Sequence, residues 1–194
     1  MQGEENMLLI TLKIRKSIEI QKHLTSIHVD EWLKNDVFHL RWWILIALIV
    51  IALAIWYISM DKIRLHEICL YTFLATILFI GLSEYGEELV LWEYPTDIIP
   101  VFPPLTSMNL IMLPLTYSII YQQFKGFRSF LWAAILITAI ICFIMEPLLA
   151  WGGFYQLVHW KFYFNWPLYS LLAIVARGLT NKIIDISTKY SLKS

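Results

Sequence analysis

A chain of 194 residues in which 59% are hydrophobic and only 15% charged, with a mean hydropathy of +0.64, cannot cover a water-facing surface. Soluble domains carry about 25% charged residues, so apolar solvent is the default. Fifteen Lys and Arg balance fifteen Asp and Glu, so no net charge draws the chain to nucleic acid. The two cysteines, Cys69 and Cys142, sit inside apolar runs. They give neither a disulfide framework nor a zinc-ligand spacing.

Residues 1–40 are polar by comparison with the rest. Met7 to Ile20 is apolar but interrupted by Lys13, Arg15 and Lys16, too short and too charged to span. The basic cluster follows the apolar stretch and no small-residue cleavage site appears, so it does not read as a signal peptide. Met7, Ile10, Ile14 and Ile18 fall at helical spacing, although Ile10, Leu12 and Ile14 also alternate as a strand would. The helical spacing predicts an amphipathic helix lying on the membrane or on the rest of the protein.

A transmembrane bundle is expected over residues 41–184, with spans at about 42–60, 63–83, 105–124, 129–149 and 167–184. Trp42 to Met60 is nineteen residues without a charge, close to the roughly 20 needed to cross a bilayer core of about 30 Å. Trp42, Trp43, Trp56 and Tyr57 mark its ends, where amphipathic rings prefer the headgroup level. The second span holds the uncharged run Ile68 to Ser83 and is free to continue through Glu84, Glu87 and Glu88 until Pro95 limits it. Pro95, Pro100, Pro103 and Pro104 make residues 96–104 a loop or a short re-entrant stretch. The third span contains Pro114, which releases the carbonyl of Leu110. The fourth ends near Glu146–Pro147, and an aromatic loop from Trp151 to Trp166 follows. Pro167 suits the first turn of the fifth, and residues 185–194 form a polar tail.

Cations collect on one side. Lys62, Arg64, Lys125, Arg128, Arg177, Lys182, Lys189 and Lys193 share it, eight in all, whereas the loop after span four has only Lys161. Lys34 and Arg41 raise the second side to three. The positive-inside rule then puts the C-terminus in the cytoplasm and the N-terminus outside. In either orientation the N-terminal segment, the acidic loop after span two and the aromatic loop share one face. That face holds Glu84, Glu87, Glu88, Glu93, Asp97, Glu146, His159 and Lys161.

Candidate acid–base residues are Glu84, Glu88 and Glu146. Glu84 and Glu88 are four apart, so a continued helix puts them on one face about 6 Å apart along the axis. Such a pair can bind a cation, relay protons or act as acid and base, but a solvated or interfacial acidic cap is the simpler reading. Glu146 follows seventeen uncharged residues, a costly depth for a carboxylate. An interfacial position, bonded to Trp or Tyr donors of the following loop, accounts for it equally well. Trp92, Asn109, Tyr117, Tyr121, Gln122 and His159 are the pocket candidates. Helix-to-helix hydrogen bonds and an interfacial aromatic belt account for most of them without a ligand. Arg177 reads as a snorkelling residue. The histidines are scattered, no metal-ligand motif or phosphate loop occurs, and no cofactor is implied.

The elements Asp61-Lys62-x-Arg64-Leu65-x-Glu67-Ile68, Trp92-x-Tyr94-Pro95, Leu113-Pro114 with Tyr121-Gln122, and Glu146-Pro147 with Trp160-Lys161 resemble an uncharacterised group of small multi-pass membrane proteins from spore-forming Gram-positive bacteria. The likeness covers roughly residues 28–184. It implies membrane class and bacterial source, and it brings no activity. A fainter similarity, to membrane-embedded carotenoid enzymes such as lycopene cyclases, rests on Glu-Glu and Glu-Pro elements at helix ends. Glu87-Glu88 departs from it by lacking the preceding proline.

The sequence therefore predicts an all-α, polytopic cell-membrane protein: about five transmembrane helices preceded by an N-terminal amphipathic segment. The bilayer is its first partner, with a lipid ligand or a protein as the second. The missing catalytic motif favours a non-enzymatic partner-binding, sensory or envelope-associated module. One alternative is an intramembrane enzyme acting on a lipid or isoprenoid through Glu84, Glu88 and Glu146. The other is a small transporter, which with five helices would need a homo-oligomer.

Overall fold

The computed structural model describes residues 2–96, 98–99 and 111–191. The chain is mostly helical, and three of its helical runs are long and apolar enough to cross a membrane: Leu40–Ser59, Lys62–Glu88 and Phe127–Trp151. The first is helix α2. The second joins a 3-10 turn, Lys62–Arg64, to helix α3, Leu65–Glu88. Asp61 starts it, its side chain accepting from the Ile63 amide. The acidic residues at the far end stay helical, so Glu84, Glu87 and Glu88 close the helix.

The third run is interrupted by its own sequence. Helix α5 (Phe127–Ile140) passes through a π-helical turn, Ile141–Met145, into helix α6 (Glu146–Trp151). Pro147 has no N–H to give to the Phe143 carbonyl, and its ring would clash there in a regular helix. The wider π turn relieves that clash. Gly153, at φ 77°, ends the run in the left-handed conformation that glycine adopts freely.

Two prolines sit elsewhere than expected. Pro114 lies in the first turn of helix α4 (Leu113–Gln123), where a missing N–H costs little. Leu110 lies outside the described residues, as do Asn109 and most of the stretch 96–104. Pro167 is inside helix α7 (Phe162–Ser191), not at its start. The aromatic residues 162–166 extend that helix backward, and the charged residues of the expected tail carry it on to Ser191.

Helix α1 (Gln2–Glu31) packs substantially only on the π turn Trp32–Asp36 that follows it. Residues 10–28 are exposed throughout. Of the two resting places the sequence offers this helix, the rest of the protein is not the one taken.

Helix α3 is the hub, with its most extensive contacts to α4 and α7. Ile68, Tyr71, Ala75, Phe79, Ser83 and Gly86 form its buried stripe, spaced by three and four as a helix face requires. Tyr71 stacks on Tyr121 with ring centroids 4.2 Å apart, and Phe79 stacks on Tyr117 at 5.3 Å. The reversed chain order of these pairs makes α3 and α4 antiparallel. Ala75, Ala134, Ala173 and Ala176 are all buried, and such small side chains let helix backbones approach closely. Helix α2 stays peripheral, with Leu45 as its buried residue. Trp56 Nε1 and Thr72 Oγ1 donate to the Ser118 hydroxyl oxygen at 3.0 and 2.7 Å, clipping α2, α3 and α4 together.

At one end of the bundle strand β1 (Trp92–Glu93) pairs antiparallel with strand β2 (Gln156–Leu157), with Trp92 opposite Leu157. The loops after α3 and α6 therefore meet. The start of α2 joins them: Trp42 Nε1 donates to the Ile98 carbonyl at 3.2 Å, and the Arg41 guanidinium lies against Gly153.

Candidate functional site

The acidic end is built by the last turn of α3, the β1–β2 ribbon, α6 and the start of α7. Gly86 makes the joint. The Trp92 ring lies so close to its Cα that an added Cβ would fall 1.8 Å from a ring carbon. Trp92, Tyr94 and Tyr155 form a small buried cluster, flanked by Leu149, Trp160 and Phe162.

Glu146 sits beneath that cluster, 2% exposed. The Asn165 amide nitrogen donates to both carboxylate oxygens, at 3.0 and 2.9 Å. Trp160 Nε1 in turn donates to Asn165 Oδ1 at 2.7 Å, which fixes which way the amide points. The Tyr169 hydroxyl lies within hydrogen-bonding reach of the same carboxylate. Among the described residues no Lys, Arg or His forms an ion pair with it. Asn165 and Tyr169 are four apart on α7, so one helix face delivers both donors.

Above them, Ser83 Oγ donates to Glu87 Oε1 at 3.1 Å, and Ser83 also hydrogen-bonds the Tyr94 hydroxyl. The rings of Tyr94 and Tyr155 lie 5.3 Å apart. Burial pushes both hydroxyls well above the ordinary tyrosine value, so they stay neutral. The carboxylate that faces inward from α3 is Glu87, while Glu88 is exposed and Glu84 half-buried at the rim. His159 is exposed, its Nδ1 at 3.1 Å from the Val90 carbonyl.

The other end holds a different cluster. Arg64 forms a salt bridge to Glu67, and the Tyr121 hydroxyl donates to Glu67 as well. Arg177 is 6% exposed and spends its terminal nitrogens on the carbonyls of Phe124 and Lys125, with its guanidinium 4.5 Å above the Phe130 ring. It is therefore a buried cap on the end of α4, not a side chain reaching for water. Gln122 accepts from the Asp61 amide at 3.0 Å.

The five pocket candidates among the described residues are thus divided; Asn109 lies outside them. Trp92 and His159 belong to the acidic end, Tyr121 and Gln122 to the basic end. Tyr117 lies between them, its hydroxyl 2.6 Å from Thr138 Oγ1. Glu67 and Glu87 are twenty residues apart on one helix, about 30 Å at 1.5 Å per residue. Sequence reasoning missed Asn165, Glu67 and Glu87 as organising groups. Asn165 carried a usable signal, an amide inside an aromatic run one turn before Tyr169.

Open grooves run along α1, one lined by Ile18, Gln21, Lys22, Thr25, Ser26, Val29 and Asp30, its neighbour by Thr11, Arg15 and Glu19 among others. Among the described residues no group of three or more His, Cys, Asp or Glu is placed to hold a metal ion. Comparison with family models, curated proteins and solved structures finds no match to this chain.

Proposed function

We propose that this chain is a five-span membrane protein with a non-enzymatic role: a sensory or partner-binding module of the cell membrane. The basic end faces the cytoplasm and the acidic end faces outward. Two spans beyond the three apolar helices are part of the proposal. Helix α7 is not among the apolar spans, yet Arg177, the charged residue among its inner turns, spends both terminal nitrogens on internal carbonyls, which lowers the cost of carrying it across. Helix α4 supplies eight buried residues to the bundle.

The observation that carries the non-enzymatic reading is the dispersal of the acid–base and pocket candidates. Glu84 and Glu88 lie at the rim, Glu146 is held by the Asn165 amide, and Tyr121 and Gln122 belong to the opposite end. Acid–base chemistry needs its groups within about 3 Å of shared reacting atoms.

Mass spectrometry of lipids retained by the purified chain tests this reading. The expected result is the composition of the surrounding bilayer. A single enriched isoprenoid or lipid would replace it with the enzyme alternative. The orientation is tested by thiol labelling of a Glu93→Cys, Cys69→Ser variant in intact cells. Labelling from outside is expected, and labelling only after permeabilisation would invert the topology.

A further inference from the structure

The membrane reading leaves one group unexplained. Glu146 is buried, and among the described residues no cation answers it. A proton needs no cavity, only an oxygen lone pair to receive it. We propose that Glu146 is a reversible proton-binding site, loaded from the acidic rim of the bundle, and that its proton state sets the coupling of α6 to α7. The inference deepens the sensory reading by naming the proton as the signal.

The groups that face Glu146 come from every element around it. Tyr169 and Asn165 approach from α7, and Tyr94 and Tyr155 from the ribbon loops. Cys142 lies in the π turn and Tyr117 on α4. None of these is a cation. The Asn165 amide and the Tyr169 hydroxyl stabilise the ionised carboxylate by donation alone, and a phenol oxygen also offers lone pairs that a protonated carboxyl can use. Tyr155 Oη is already an acceptor, 3.4 Å from Asn165 Nδ2. The site can therefore be satisfied in both states, which a purely structural ion pair cannot.

The entry side follows from geometry. Glu87 is half-buried at the rim and hydrogen-bonded through Ser83 to Tyr94, whose ring packs on Tyr155. Toward the basic end the described residues offer no comparable line of carboxylates. In the loading step a proton from bulk water reaches Glu87, passes inward, and ends on one Glu146 oxygen, while Glu87 returns to the carboxylate. The Asn165 N–H donated to that oxygen is released, and the new O–H finds a tyrosine oxygen. One of the two Asn165 bonds that tie α6 to α7 is thereby broken.

The test is infrared difference spectroscopy on the full chain in lipid nanodiscs, titrated with pH. A protonated-carboxyl C=O band that titrates is expected; it should vanish in Glu146→Gln and persist in Glu84→Gln. Asn165→Leu removes a donor to the charged form, so the midpoint of the band should rise by at least half a pH unit. After a pH jump, Glu87→Gln should slow the appearance of the band several-fold without moving its midpoint. A wild-type spectrum unchanged by Glu146→Gln, or a midpoint unmoved by Asn165→Leu, would overturn the proposal. Should Glu146→Gln fail to fold, the Asn165→Leu midpoint decides alone. Lipid retention is measured separately, so a failure of the non-enzymatic reading stays distinguishable from a failure of the proton site.

Discussion

Glu67 and Glu146 are carboxylates held in the same helical bundle, at opposite ends, and they are stabilised by different means. Glu67 has a salt bridge to Arg64 and keeps 26% of its side chain accessible. Glu146 has no salt-bridge partner among the described residues and is 2% exposed. The basic end is a lock of charges against charges and helix-end carbonyls. The acidic end is a carboxylate suspended among neutral donors. A charge met by a countercharge has little reason to change state, whereas one met by phenols and an amide is stable only while those donors stay in place.

The largest effect that would break this comparison belongs to Arg177. Replacing it by Leu strips the Phe124 and Lys125 carbonyls of their donor. Charge-assisted bonds of this kind contribute about 1.5–3 kcal/mol each, so the expected loss is roughly 3–5 kcal/mol. Equilibrium unfolding in mild detergent measures it. A loss under about 1 kcal/mol would mean that those carbonyls reach water without help, and the basic end would no longer be a lock.

Asn165 is next. Asn165→Leu leaves Glu146 buried without its main donor, and a loss of about 2–3 kcal/mol is expected. The double variant Glu146→Leu, Asn165→Leu should recover most of that loss, because removing both partners of a buried polar pair is often close to neutral. A double variant as unstable as the single one would show that the pair contributes by shape and not by polarity.

How far these ends could be read beforehand differs element by element. The span of α2 and the depth of Glu146 follow from uncharged runs, because hydrophobic length is a local property. The gathering of the acidic loop, the aromatic loop and the start of α2 at one end follows from the parity of the crossings. The inward choice of Glu87 over Glu84 and Glu88 does not. It depends on which face of α3 meets α4 and α7, and that is set by the stacks of Tyr71 on Tyr121 and Phe79 on Tyr117, partners more than thirty positions apart. Arg177 was invisible for the same reason: its partners are the carbonyls ending α4, and carbonyls have no side-chain signature in a sequence. The π turn was partly legible, since Pro147 demands a local adjustment, but the sequence does not say which one.

A smaller effect separates the two carboxylates directly. Glu67→Gln removes a partly exposed ion pair, and about 1 kcal/mol of destabilisation is expected, near the upper end for accessible pairs. Glu146→Gln should exceed it whenever the carboxylate is ionised, because Gln presents its own amide N–H₂ to the Asn165 amide in place of one acceptor oxygen. Equal losses from the two variants would erase the distinction between a locked end and a suspended one.

The smallest effect concerns how α3 is terminated. The helical run that contains it begins at the Asp61 cap of the 3-10 turn, with ordinary backbone angles there, and is followed by Val90 at φ 55°. A left-handed conformation costs an L-residue about 1–2 kcal/mol, and a β-branched one is poorly suited to it. The structure holds it there by two backbone bonds, Val90 N to the Glu87 carbonyl at 2.8 Å and Leu91 N to the Gly86 carbonyl at 2.9 Å, a helix end where glycine is usual. Val90→Gly relieves the strain but adds unfolded-state entropy of about 0.5–1 kcal/mol. The net expected result is a gain of roughly 0.5 kcal/mol by the same unfolding measurement. The Glu146 titration should be unchanged, since the ribbon bonds from Val158 and His159 to the Leu91 carbonyl remain. A titration that moved with Val90→Gly would mean that the strained turn, and not the Asn165 amide alone, holds the donors over the carboxylate. The acidic end would then be tensioned from α3 as well as from α7.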